Sequence, residues 1–279
     1  MAGLKKPDGI RPRLDPPRNI LHQRPDEVEG VARYWSSPDL EPFVEHHWSV
    51  RWDVPEPEVV EVVPQPSVHM VIQAGASEVL GLSRARFTRL LEGRGRMLGT
   101  KFWPGAFRPF VSTPVWTFAG KRLPLTEVFG PRAGALEGLA LREEDDRAAM
   151  AVVEDFLRNL APRADPDMIL AGRIVGHIAG NREVRRVDEL ATEFGASPRA
   201  LERLFREYVG ASPKRVILHH RLLEATERLA RERNVDWADL ALELGYSDQA
   251  HFIREFKELV GRTPAEYARS LDRQKNRGA

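Results

Sequence analysis

The sequence predicts an α+β chain in two parts: a β-rich N-terminal half with one flanking helix, then an all-α part of about seven short helices. Three observations predict it. Residues 28–130 carry short apolar, β-branched and aromatic runs bounded by Pro and Gly, as strands do. From Met168 to Leu271 the apolar spacing changes to three and four, with Gly, Ser-Pro and Thr-Pro as punctuation. This second part also repeats itself.

Composition narrows the function classes. A chain of 279 residues has room for about two domains. Hydrophobic residues make up 42% and charged residues 30%, ordinary for a soluble protein. The longest apolar run, Ala148–Val153, is far too short to span a membrane, and no signal peptide is read at the N-terminus. A cytoplasmic protein with no membrane partner is expected. There is no cysteine, which excludes disulfides, thiolate metal sites and thiol nucleophiles. The net charge of +1 is split: residues 171–279 hold 20 basic and 17 acidic residues, a net of +3. That bias permits nucleic-acid binding without demanding it.

In chain order, residues 1–27 hold five prolines among basic and polar residues and read as a flexible arm. Strands are expected at Phe43–Trp52, Val59–Val63, Val68–Ile72, Met97–Trp103, Phe107–Val111 and Val115–Phe118, spaced as in a barrel or sandwich. Leu82–Leu91 reads equally as strand or short helix. Acidic residues 143–146 lead into Ala149, Val152, Val153, Phe156, Leu157 and Leu160, which predicts a helix over 143–160. Residues 161–167, interrupted by Pro162 and Pro166, read as a linker. Helices are expected at 168–179, 187–194, 198–208, 213–231, 236–243, 248–259 and 264–271, with 273–279 as a tail.

The repeat is specific. Shifted by 50, Val187–Ala200 matches at Leu190/Leu240, Ala191/Ala241, Glu193/Glu243, Gly195/Gly245, Ser197/Ser247 and Ala200/Ala250. Shifted by 51, Leu201–Val216 matches at Arg203/Arg254, Phe205/Phe256, Glu207/Glu258, Val209/Val260, Gly210/Gly261 and Pro213/Pro264. Each copy has a short helix, a glycine suited to a left-handed exit, a serine suited to capping, and a second helix with an apolar stripe. That is the outline of a helix-turn-helix, whose second helix enters the DNA major groove.

With these residues, 168–271 resembles the AraC/XylS DNA-binding domain. The matching stretches run Gly195-Ala-Ser-Pro-Arg-Ala-Leu-Glu-Arg-Leu-Phe205, Gly210-Ala-Ser-Pro213, Arg221-Leu222, Leu244-Gly-Tyr-Ser-Asp-Gln-Ala-His-Phe-Ile-Arg-Glu-Phe256 and Gly261-Arg-Thr-Pro-Ala-Glu-Tyr267. Val187, Trp237 and Ala196 depart from the usual pattern. Trp48, Pro64–Ile72, Leu98–Ala106 and the helix at 143–160 resemble the sensor half of one AraC subgroup. The resemblance implies a small cupin-like β-barrel over 28–160, for effector sensing or pairing of two subunits, and a double helix-turn-helix domain over 168–272. It also implies promoter or operator DNA as partner, and RNA polymerase where such a protein is an activator. No cofactor is implied.

On the first recognition helix, core positions go to Leu201, Leu204 and Phe205, leaving Arg199, Glu202, Arg203 and Arg206 outside. The first three match base-contacting positions of the family; Arg206 is expected at a phosphate. On the second helix, Gln249, Ala250, His251 and Arg254 are left near the leading face, with Lys257 and Arg262 as phosphate neutralisers. Arg203 and Arg254 stand at equivalent positions, where they either read bases or tie together the two helices of each unit. The joining helix, 213–231, spans ~28 Å, short of the ~34 Å between successive grooves, so a bent or flexible operator is expected. Trp48, Phe102, Trp103 and Trp116 are candidates for an effector pocket. His46, His47 and His69 invite a metal reading, but neighbours on a strand face opposite ways, so no metal site is expected. The alternative function is a β-barrel enzyme tethered to DNA; residues 28–130 show no convergent titratable set for it.

Overall fold

The computed structural model describes residues 28–62, 66–83, 87–231 and 235–277. The expected arm 1–27 lies outside them. Six antiparallel strands form one sheet: β1 (Val28–Tyr34), β2 (Val44–Val62), β3 (His69–Gln73), β4 (Glu78–Leu80), β5 (Phe87–Phe102) and β6 (Arg122–Pro124), in spatial order β1-β2-β5-β3-β4-β6. The barrel is not closed: β1 and β6 are the sheet's edges. The cupin-like outline survives because the long β2/β5 ribbon bends. Opposite Gly93 (φ +53°), the Pro55–Pro57 stretch is looped out of register, and beyond it the ribbon folds over. Arg89 on β5 thereby reaches Glu78 at 3.1 Å and also Gln73. Inside the bend Trp52, Val54 and Leu91 form a small core of their own. Trp48 and Trp52 lie flat on their cross-strand partners Gly99 and Gly95, where a methyl group would sit about 2 Å from each indole.

Three short helices follow the sheet: α1 (Leu125–Phe129), α2 (Leu136–Arg142) and α3 (Asp146–Asn159). Asp145 caps α3 by accepting from the Arg147 and Ala148 amides, both at 3.0 Å. Two carboxylates bind α3 to the sheet. Asp146 accepts from Tyr34 at 2.9 Å, Arg51 at 2.8 Å, and also from Ser49 and Arg96. Glu154 accepts from the Ser37 amide at 2.8 Å and meets the fully buried His47 at 3.3 Å; His47 in turn meets Thr100 at 2.9 Å. Burial opposes ionisation of Glu154, yet the bonds from His47 and Ser37 hold its carboxyl at about 2.

Among the described residues seven helices follow: α4 (Pro166–Gly180), α5 (Val187–Glu193), α6 (Pro198–Leu204), α7 (Pro213–Arg231), α8 (Trp237–Glu243), α9 (Gln249–Val260) and α10 (Pro264–Arg277). No helix among the described residues is long and apolar enough to cross a membrane. The largest core runs without a break from Tyr34 to Ile217, through the sheet, α3, α4, α6 and the start of α7. A second core runs from Leu222 to Val260. Packing thus divides inside α7.

Several expectations are corrected. Arg108–Phe110 and Val115–Phe118 are 3-10 turns, not strands. Pro109 and Pro114 preset the turns, and Phe107, Phe110, Val115 and Phe118 are buried by folding inward together. Val59–Val63 is no separate strand: Val59–Val62 continue β2 past the loop-out, and Phe87–Leu91 begin β5. Residues 273–277, expected in a tail, continue α10. Residue 166 is already helical, because Asp165 caps α4 through the Met168 amide at 2.8 Å.

Two imidazoles make the fold acid-sensitive. Desolvation, with Lys101 and His46 nearby, pushes His69 down to about 3. Desolvation, with Arg221 and Lys101, pushes His220 down to about 4. Both rings stay neutral in the fold, whereas in the unfolded chain they protonate near pH 6.5. Stability is therefore complete above about pH 6.5 and falls as pH drops towards 4, by ~1.4 kcal/mol per pH unit per ring. Urea titrations should show this slope, and a His69→Gln/His220→Gln double variant should reduce it to the part left by His46, which burial also shifts down; an unchanged slope would refute the assignment.

Candidate nucleic-acid interface

The two helical units are built by the same local chemistry. In the first, α5 exits through Gly195 (φ +60°), and the Ala196 amide donates back to Ala191 O at 2.9 Å. In the second, α8 exits through Gly245 (φ +81°), and the Tyr246 amide donates back to Ala241 O at 2.9 Å. Both are six-to-one helix stops, which only a left-handed residue closes without strain. The caps differ. Ser197 caps α6 through the Ala200 amide at 3.2 Å, as expected. Asp248, not Ser247, caps α9, accepting from the His251 amide at 2.7 Å. The extra residue that turns the offset from 50 to 51 falls in this turn and moves the cap one place on; Ser247 donates to Asp248 instead, at 3.1 Å.

The apolar stripes sit inside as the sequence requires. Leu190, Leu201 and Phe205 are buried in the first unit, and Leu240, Phe252 and Phe256 in the second. After α6 the first recognition helix widens into one π turn, Phe205–Val209, with Gly210 N–H donating to Phe205 O at 2.8 Å. α9 has no such turn.

A feature that sequence patterning missed holds the first unit to α7. Arg221 is only 2% exposed. Its guanidinium donates to Ile178 O at 2.8 Å and to Asn181 O and Arg182 O at 3.0 Å, and pairs with Glu224 at 2.8 Å. It therefore caps the C-terminal end of α4, where a cation also meets the helix dipole. In sequence it is one arginine among many; only the family match flagged it. Two more pairs tie α7 to the second unit: Arg215–Glu258 at 3.6 Å, and Arg228–Glu243.

Eight of the ten candidate DNA-contacting residues are exposed: Arg199, Glu202, Arg203, Arg206, Gln249, Ala250, Arg254 and Lys257. Among the described residues, Arg199, Arg203 and Arg254 have no hydrogen bond or ion pair. The equivalent arginines therefore do not tie the helices of each unit together. His251 is half-buried, its ring edge-on to Tyr246 at 5.2 Å and within 3.4 Å of Ser247 Oγ, so it is fixed against the turn. Arg262 is half-buried in the turn before α10.

Arg206 departs from expectation. Its guanidinium lies over the Trp116 indole, 4.1 Å from the ring centroid. Beside it Arg108 pairs with Glu207 at 2.6 Å, and Gly210 presses on Val115. The turn Val115–Phe118 thus packs on the C-terminal end of the first recognition helix, leaving its N-terminal residues open. Between them lies a cavity of about 340 Å³, bordered by Trp116, Leu82, Glu202, Arg206 and Arg215 among others.

The four aromatic residues proposed for an effector pocket are not gathered into one. Phe102 is fully buried in the core, 5.0 Å from Phe107 and 5.2 Å from Phe110. Trp103, next in the chain, turns outward and donates to Glu41 O at 3.1 Å. Trp48 lies on Gly99, 6.5 Å from His69. Trp116 borders the cavity at the helical unit. Strand alternation separates Phe102 from Trp103, and the outward 3-10 turn removes Trp116. Among the described residues, no group of three or more His, Asp or Glu is placed to hold a metal ion.

Two family profiles match: "Helix-turn-helix domain" over residues 190–270, and "Domain of unknown function (DUF6597)" over 32–124. The probable transcription factor PqrA of Proteus vulgaris is 35% identical over 82 residues, 29% of this chain and 66% of that one. The HTH-type transcriptional regulator GbdR of Pseudomonas aeruginosa is 35% identical over 78 residues, 28% of this chain and 21% of that one. The chain spans less than two thirds of these relatives. A solved AraC-type transcriptional regulator from Chromobacterium violaceum is 29% identical, covering 35% of this chain and 88% of that one with a TM-score of 0.32.

Removing the α4 cap tests the frame of the first unit. Arg221→Leu leaves three carbonyls without their donor and Glu224 with only Arg182, 3.5 Å away, and should cost about 3–5 kcal/mol in chemical denaturation. A loss below ~1 kcal/mol would show that water replaces the guanidinium.

Proposed function

We propose, for a chain that belongs to the AraC/XylS family, that it is a sequence-specific DNA-binding transcriptional regulator whose two recognition helices read adjacent major-groove segments. The observation that carries this reading is the pair of unpaired arginines, Arg203 and Arg254, presented at equivalent positions by two turns of the same hydrogen-bonded design. Each can lie bidentate on guanine O6 and N7. Arg199, Gln249 and His251 supply further base contacts, and Lys257 and Arg262 neutralise phosphates. Arg206, stacked on Trp116, reports to the β-rich half instead of to the duplex. Residues 28–160 serve in this reading as the sensing and pairing half, with a small-molecule effector and a second copy as partners, and RNA polymerase where the protein activates. It works in the cytoplasm and is not an enzyme.

The decisive experiment maps the genomic DNA bound by the full chain, then measures the recovered sites by gel shift. A motif with two segments about one helical turn apart is expected. Arg254→Ala should cost ~1–3 kcal/mol on the best site and relax one base preference, whereas Lys257→Ala should weaken all sequences alike and lower the salt slope by ~1. A full chain without preference among sequences at moderate salt would sink the proposal.

A further inference from the structure

We propose that the cavity between Trp116 and the first recognition helix is a binding site for a small zwitterion with an apolar side group, of the α-amino-acid class. Its volume, about 340 Å³, suits a single amino acid with a large side chain. Much of the wall is apolar: Pro66, Leu82, Ala119, Ala211 and Val216. Set against it are two opposite charges one helical turn apart, Glu202 and Arg206.

At spacing four on a helix such a pair ordinarily closes on itself. Here it does not, because Trp116 holds the guanidinium over its indole face at 4.1 Å. The indole face thus holds the guanidinium in place while leaving its N–H donors without a hydrogen-bond partner. Among the described residues neither Arg206 nor Glu202 has a hydrogen-bond or ion-pair partner. The other cation on the wall, Arg215, is already matched by Glu258 at 3.6 Å. The cavity thus offers one open cation and one open anion beside an apolar wall. A carboxylate accepts from Arg206 while an ammonium donates to Glu202; a ligand with one charge alone leaves the other side chain unmatched.

The inference gives the effector of the proposed regulator a chemical class and rests on that reading for its biological meaning. Its test needs no DNA. Thermal unfolding of the full chain is followed with each standard L-amino acid in turn, at millimolar concentration. One or more apolar or aromatic members should raise Tm by about 2–4 °C, while the deaminated acid and the decarboxylated amine of the same compound do not. Glu202→Gln and Arg206→Gln should each abolish the shift, and Arg163→Gln, at an exposed residue away from the cavity, should keep it. No shift with any amino acid, an equal shift with the deaminated acid, or a shift that survives both substitutions overturns the site. Gel shifts without amino acid are run in parallel. Loss of sequence preference there would defeat the regulator reading alone.

Discussion

The helical half depends on one buried guanidinium. Arg221 sits on α7 with both terminal nitrogens bonded to the carbonyls that end α4, its charge matched by Glu224, and its buried Nε alone left without a partner. Burying such a charge is costly unless every lone pair around it is used. The arrangement tolerates little displacement of α4 against α7, since each carbonyl is held within about 3 Å. That fixed pair of helices is the platform on which α5 and α6 are mounted. The same rod carries the second unit through Arg215–Glu258 and Arg228–Glu243 and through the core that begins at Leu222. Lysine at this site would offer a point charge where a planar fork is required.

Much of the helical half is legible in the sequence because its stops are chemical. Gly195, Gly245, Gly210 and Gly261 all take positive φ, and Ser197 caps where a cap is needed, so the boundaries of α5, α8, α9 and of α6 with its π turn fall within a residue or two of the pattern. The slip of the α9 cap, Ser247 for Asp248, follows from an insertion whose place periodicity alone does not locate. The β-rich half is harder to read. Aromatic runs such as Phe107–Phe110 and Val115–Phe118 have the composition of strands, and only tertiary burial decides that they turn. β1, β4 and β6 are short or edge strands with weak alternation, and α1 and α2 are single-turn or two-turn elements.

The candidate site divides the same way. Exposure of Arg199, Arg203 and Arg254 follows from helical periodicity once Leu201, Leu204, Phe252 and Phe256 are assigned to the core. The Trp116–Arg206 stack does not, because it joins residues ninety positions apart, and no local pattern encodes so distant a contact. The cavity beside it is invisible in sequence for the same reason. The open end of the helix and the end covered by the β-rich half belong to one element, and only the first has a periodicity to announce it.

Because the packing boundary falls inside α7, that helix joins the second unit to the rest of the protein, with Arg185 against Gly245 and the Arg215–Glu258 pair beside it. Angular phase along that helix then decides which way the second unit faces. One residue added between Ile217 and Leu222 would advance it by ~1.5 Å but swing it through roughly 100° about the axis. Length along this segment is therefore a far stricter constraint than composition: a side chain can be exchanged, but a single insertion turns the second unit away from its bearing on the first.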